Sequence, residues 1–159
     1  MRTAFTSRKA SDAFTLMEVL LVVAVLGVVS AIGAVNLGNF SRGVELDSFA
    51  QKVVFDLRLA KAKSMSGEEG RKWGVRFVNG ASEDYYEIYS TPTNYLDPAV
   101  AISSTEYLPR GVSFSDPAPL ANDDVLFSKG FGTTTSQAIV LDSPQKSVTV
   151  TITSQGGIY

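Results

Sequence analysis

The feature that most constrains this chain lies near its N-terminus, where about 17 consecutive residues, Val19 to Val35, carry no charge. That is the lower limit of what spans a bilayer as a helix. Before it stand Arg2, Arg8 and Lys9 against the single acid Asp12, and basic residues on that flank predict a cytoplasmic leader with the remainder outside. One residue breaks the pattern. Glu18 sits at the head of the run, behind Phe14, Thr15, Leu16 and Met17. A carboxylate near membrane depth costs about 2.5 to 3.5 kcal/mol on insertion scales, so it needs a partner or a purpose.

The stretch A-F-T-L-M-E, Ala13 to Glu18, followed by an apolar helix, resembles the type IV prepilin processing motif of pilins and type II secretion pseudopilins. The resemblance implies a cytoplasmic-side cut between Ala13 and Phe14 by prepilin peptidase, N-methylation of Phe14, and retention of the helix. It also implies that the Glu18 carboxylate meets the positive amine on Phe14 of a neighbouring subunit. Opposite charges in a low-dielectric bundle stabilise one another when paired, and removing one partner costs about 3 to 5 kcal/mol. Ala13 replaces the family's usual Gly but keeps its small size. Two other readings of the segment compete, an ordinary signal anchor and a cleaved signal peptide, for which S-A-I-G-A at Ser30 to Ala34 is a loose cleavage candidate.

Around and beyond Val35, the glycines Gly33, Gly38 and Gly43 soften the helix, since each costs about 1 kcal/mol relative to Ala in a helix interior. They permit either a bend or tight helix packing. Periodicity then resumes through Met65. Leu46, Phe49, Val53, Leu57 and Ala60 recur at spacings of three and four, with Glu45, Asp47, Lys52, Asp56, Arg58, Lys61 and Lys63 at other positions, which predicts an amphipathic helix packed on a sheet. Arg58, Lys61 and Lys63 are expected on a solvated, dipole-matched face, and Gly67 as the C-cap.

From Lys72 the texture is short β-type runs between turn residues. Trp73, Val75 and Phe77 alternate, as do Tyr85, Glu87 and Tyr89 against Tyr86 and Ile88; later runs are Val112 to Phe114, Val125 to Phe127, Ala138 to Leu141 and Val148 to Ile152. Asn79-Gly80 and Gly156-Gly157 mark hairpin connections. The phrase FDLRLAKAKSMSGEE at Phe55 to Glu69, then strands only, resembles H-type pseudopilins and FimT-type minor pilins.

Chemistry other than assembly finds few residues to work with. The sequence contains no Cys and no His, which removes thiol nucleophiles, disulfides, the usual zinc sites and the commonest general base. No basic cluster interleaves with aromatics, and the formal net charge is -2, so nucleic-acid binding is not expected. Ser143-Pro-Gln-Lys146 spells S-x-x-K but lies in a Pro-containing turn. Asp116, Asn122, Asp123 and Asp124 are candidate oxygens for calcium, without EF-hand spacing; a solvated loop is the plainer reading. Tyr85, Tyr86, Tyr89 and Tyr95 fit either a contact patch or cross-strand packing, with alternation favouring the latter.

The expected architecture is α+β: a long N-terminal α-helix, hydrophobic then amphipathic, packed on a C-terminal antiparallel β-sheet or sandwich. Its parts are a leader (1–13), a transmembrane or filament-core helix (14–37), an amphipathic continuation (38–66) and an extracytoplasmic β-domain (67–159). The expected function is that of a non-enzymatic minor pilin or pseudopilin without cofactors, in a type IV pilus or type II secretion filament. It would sit in the inner membrane by one pass before assembly. Expected partners are prepilin peptidase, other pilin or pseudopilin subunits and the inner-membrane assembly platform. The alternative is a signal-anchored extracytoplasmic binding domain that does not polymerise.

Overall fold

The computed structural model describes residues 15–159, apart from the side chains of residues 32–42. The architecture is α+β and pilin-like: helix α1, Leu16–Ser66, followed by antiparallel strands β1 (Lys72–Val78), β2 (Tyr85–Thr91), β3 (Ala101–Tyr107), β4 (Ser113–Asp116), β5 (Asn122–Leu126), β6 (Gln137–Ser143) and β7 (Lys146–Ile152). The chain divides into two compact units, Met1–Gly38 and Asn39–Tyr159. Backbone helix is continuous from Leu16 to Ser66, so the glycines of this region do not interrupt it.

In the second unit, α1 buries one stripe: Leu46, Ala50, Val53, Leu57 and Ala60 are almost fully excluded from water. Steps of four and three residues keep these side chains on one face of a helix. Each large aliphatic buried this way contributes about 1.5 to 3 kcal/mol. Phe49, placed on the same stripe by its spacing, is only partly buried and meets Tyr86 edge-on at 6.0 Å. Ser64 closes the stripe with a polar group because here the helix meets strand backbone rather than side chains. Its hydroxyl donates to Phe127 O at 2.7 Å and accepts from Trp73 N at 3.3 Å. The helix stops at Gly67, whose φ of 67° is the left-handed conformation of a C-cap.

The strands form two antiparallel sheets, ordered β3-β2-β1-β5 and β4-β6-β7. Trp73, Val75 and Phe77 of β1, Tyr86 and Ile88 of β2, and Val125 and Phe127 supply the first sheet's share of the core; Phe114, Ile139, Leu141, Val150 and Ile152 supply the second's. Two polar residues of the β1–β2 connection clasp the sheets together. The Asn79 amide donates to Phe114 O and Pro117 O, each at 2.8 Å, while the Asp84 carboxylate accepts from Gly80 N at 3.1 Å and Phe114 N at 2.9 Å. The other predicted hairpin also forms, and Gly156-Gly157 returns the chain so that Thr151 and Tyr159 exchange both backbone bonds at 3.1 Å.

The charged residues of the helix make contacts well beyond the helix itself. Asp56 is not on a solvated face: it is 8% exposed, accepts a hydrogen bond from the Tyr86 hydroxyl at 2.5 Å, and pairs with Lys52 at 3.3 Å. Lys52 also meets Glu106 at 3.0 Å, so one network ties α1 to β2 and β3. Arg58 and Lys61 donate to the carbonyls of Ile158 and Gly156 at 3.0 and 2.9 Å, holding the C-terminal return against the helix. Lys63 lies 4.0 Å over the Trp73 ring and pairs with Glu68 at 3.0 Å. These cations are fastened to the β-domain instead of serving only the helix dipole.

Burial, followed by the Asp56 contact, pushes the Tyr86 phenol well above its ordinary value near 10. As pH rises the unfolded chain therefore ionises first, so the stabilisation is complete below about pH 10 and is lost above it. Tyr86→Phe should lower stability at neutral pH by about 1 to 3 kcal/mol, because it removes a partner from a buried carboxylate. It should also flatten the alkaline decline. Chemical denaturation of the full chain in detergent micelles between pH 7 and 11 measures both effects.

Candidate assembly helix and processing motif

Thr15 stands immediately before α1, and the backbone N–H of Glu18 donates to its hydroxyl at 3.3 Å and to its carbonyl at 3.0 Å. That is an N-cap three residues ahead of an acid, the spacing of a capping box. The T-x-x-E signature of Thr15 to Glu18 is itself visible in the sequence. It places Glu18 in the first helical turn, where a carboxylate faces the positive end of the helix dipole.

Around Glu18 there is no polar face. Residues 15–31 are all exposed, with Leu16 at 81%, Leu20 at 59% and Val29 at 61%, and Glu18 is the only charge among them. A helix apolar on every side buries itself in lipid or among other helices. Among the described residues no helix is long and apolar enough to cross a membrane; the described side chains stop at Ala31, whereas the uncharged sequence continues to Val35. Ala13 and Phe14, the expected cleavage pair, lie outside the described residues.

The other candidate residues are held within the β-domain. Asn122, Asp123 and Asp124 are on β5, opposite Val78, Phe77 and Arg76 of β1, so alternation sends Asp123 and Asp124 to opposite faces. Arg76 donates to both Asp124 oxygens, at 2.9 and 3.2 Å, and with its amide turned to match its neighbours Asn122 accepts from the same guanidinium at 3.0 Å. Burial pushes the Asp124 carboxyl up, opposed by Arg76; burial, then Asp116 and Asp124, push up Asp123. Among the described residues no group of three or more His, Cys, Asp or Glu is placed to hold a metal.

The tyrosines pack instead of forming an open patch. Tyr86 and Tyr89 are fully buried, and Tyr95 meets Tyr89 edge-on at 5.0 Å, donates to Glu87 at 2.8 Å and lies 4.0 Å from the Arg76 guanidinium. Burial and the Glu87 contact push the Tyr95 phenol up to about 12. Ser143 donates to Lys146 O at 3.0 Å within the β6–β7 turn, and Lys146 reaches Asp47 at 2.6 Å. The S-x-x-K spelling is thus a hairpin.

Against known families, residues 8–34 match the prokaryotic N-terminal methylation motif. This motif implies processing by prepilin peptidase and membrane anchoring through the N-terminal segment, as in the typically non-enzymatic type IV pilin and pseudopilin family. No curated protein and no solved structure matches the chain.

Because Arg76 already occupies Asp124 and Asn122, millimolar calcium should leave the melting temperature of the full chain in detergent unchanged. Arg76→Ala should lower that temperature, and differential scanning fluorimetry reads both outcomes.

Proposed function

We propose that this chain is a minor pilin or pseudopilin, most like the H-type and FimT-type subunits, that builds a type IV pilus or type II secretion filament. Prepilin peptidase cuts between Ala13 and Phe14 and methylates Phe14. The subunit waits in the inner membrane with its β-domain outside the cytoplasm, and the inner-membrane assembly platform passes it into the filament, where its neighbours are other pilin or pseudopilin subunits. The observation carrying this reading is the methylation motif over residues 8–34, joined to an uncovered apolar stretch, residues 15–31, whose one charge is Glu18.

The mechanism follows from electrostatics. In lipid, the Glu18 carboxylate and the new amine of Phe14 are each costly. Pairing the carboxylate of one subunit with the amine of the next relieves both costs and sets the axial register of adjacent helices. A docked subunit out of register leaves two unpaired charges, and losing even one partner of a buried pair costs about 3 to 5 kcal/mol.

Glu18→Ala should therefore insert into the membrane and be processed like wild type, yet enter sheared filaments at least about tenfold less, the equivalent of 1.4 kcal/mol. Equal incorporation of the two chains would rule out the pairing. Mass spectrometry of the wild-type chain should find methylated Phe14 at the N-terminus; an intact Met1 would favour the signal-anchored domain that never polymerises.

A further inference from the structure

The β1–β2 connection contains the single Asn-Gly pair of the sequence, Asn79-Gly80, and the fold has a use for both residues. Asn79 is buried and its amide supplies the two donors that join Phe114 O and Pro117 O, each at 2.8 Å. Its backbone is fixed as well: the N–H donates to Ala121 O at 3.1 Å and the carbonyl accepts from Leu120 N at 3.0 Å. Aspartate, the nearest residue in shape, has no N–H to give when ionised. At position 80 a Cβ would lie 2.3 Å from Glu83 O, so glycine alone fits there without a shift of backbone. The clasp between the sheets is therefore built on a dipeptide with a chemical liability.

In such a pair the backbone nitrogen after Asn attacks the side-chain amide carbon, because glycine has no Cβ to crowd the approach and turns freely. A base takes the proton from Gly80 N, that nitrogen bonds to Asn79 Cγ, and the Cγ–Nδ2 bond breaks, its nitrogen leaving as ammonia with a proton from solvent. Water then opens the cyclic imide at either carbonyl, to aspartate or to isoaspartate. The sum is amide plus water giving carboxylic acid plus ammonia, with nothing oxidised or reduced. In the folded chain both reacting groups are held. Gly80 N–H donates to Asp84 Oδ1 at 3.1 Å, and removing its proton would set a second negative charge beside that carboxylate. The Asn79 amide is committed to Phe114 and Pro117. Exclusion of water is not the protection, since Asn79 and Asp84 line a surface cavity of about 460 Å³ with Ser82, Glu83 and Arg110.

We propose that Asn79-Gly80 is a conformation-gated modification site, silent while the β1–β2 connection is closed on Asp84 and on the second sheet, and hydrolysed to aspartate or isoaspartate when that connection opens. Closing again does not undo the change. A carboxylate at position 79 sets acceptors against the acceptors Phe114 O and Pro117 O. Isoaspartate also lengthens the main chain between the N–H that meets Ala121 O and the carbonyl that meets Leu120 N. A chain that has opened long enough to react is thereby marked, and it loses the clasp between its two sheets. The site lies wholly in the β-domain, and its chemistry holds whether or not the chain enters a filament.

Full chain in detergent micelles, incubated at mildly alkaline pH, is the test, with conversion at Asn79 read by mass spectrometry of its peptides. Conversion should be at least about tenfold slower in folded chain than in chain unfolded by guanidinium, because only the opened fraction reacts. At guanidinium concentrations below the unfolding transition, the rate should rise in step with hydrogen exchange at Gly80 N–H, which reports the same opening. Asp84→Asn, incubated below its own melting temperature, should convert at least about tenfold faster than wild type at equal exchange-detected opening of the rest of the domain. Asn79→Asp should melt at a lower temperature than wild type. Equal rates in folded and unfolded chain, or conversion that does not follow exchange, would overturn the gating. An Asp84→Asn chain that converts no faster would overturn the shielding by Asp84, and an unchanged melting temperature for Asn79→Asp would overturn the loss of the clasp. Should Asp84→Asn not fold, the guanidinium series on wild type alone decides the gating.

Discussion

The β-domain depends on one stripe of α1 being pressed onto two sheets at once. Leu46, Ala50, Val53, Leu57 and Ala60 are all but excluded from water, and what holds them in register is polar. Asp56 and Lys52 on the helix engage Tyr86 of β2 and Glu106 of β3, while Ser64 bonds the backbones of Trp73 and Phe127. Apolar burial is non-directional; the directional bonds in the middle of the stripe and just beyond its C-terminal end favour one rotation of the helix. That choice in turn decides which flank of α1, with Val54, Phe55 and Arg58, is left beside β7 as a groove.

The first half of α1 obeys a different rule, because residues 15–31 have no face that water prefers. Thr15 caps the start of this half and Glu18 lies in its first turn, so the one charge of residues 15–31 is at one end. In the proposed pairing, that position would let a neighbour's terminus reach the charge without any polar group crossing the apolar stretch. The same carboxylate at Val25 or Val29 would have no partner within reach of a chain terminus.

Much of this was legible in the sequence, for reasons that differ by residue. Trp73, Val75 and Phe77 alternate because one face of β1 is core, and Gly67 announces a helix end because few other residues adopt its φ. Glu18 stood out as a charge where charges are costly. Strand β3, A-I-S-S-T-E-Y, had no such mark: it is a sheet edge exposed on both faces, so no hydrophobic period is imposed on it. Asp56 resembled any solvent-facing acid because its partner, Tyr86, is 30 residues away. Arg58 and Lys61 grasp carbonyls 100 and 95 residues distant. The groove was invisible for the same reason, since its walls come from α1 and from β7 with Tyr159.

A physical asymmetry links the two halves. Moving an apolar helix from lipid into a bundle of similar helices gains little from the hydrophobic effect, because lipid tails are as apolar as leucine side chains. In the proposed assembly, transfer of the Leu16 to Val35 stretch from lipid to filament would therefore do little to favour filament over membrane. The preference must come from terms that differ between the two states. One, in the proposed assembly, is the pairing of Glu18 with a neighbour's amine. The other, in the same proposed assembly, is contact between β-domains, where covering exposed apolar side chains in water carries the full hydrophobic gain. In this account the N-terminal helix fixes where subunits meet, and the water-facing domain supplies much of the reason that they stay together.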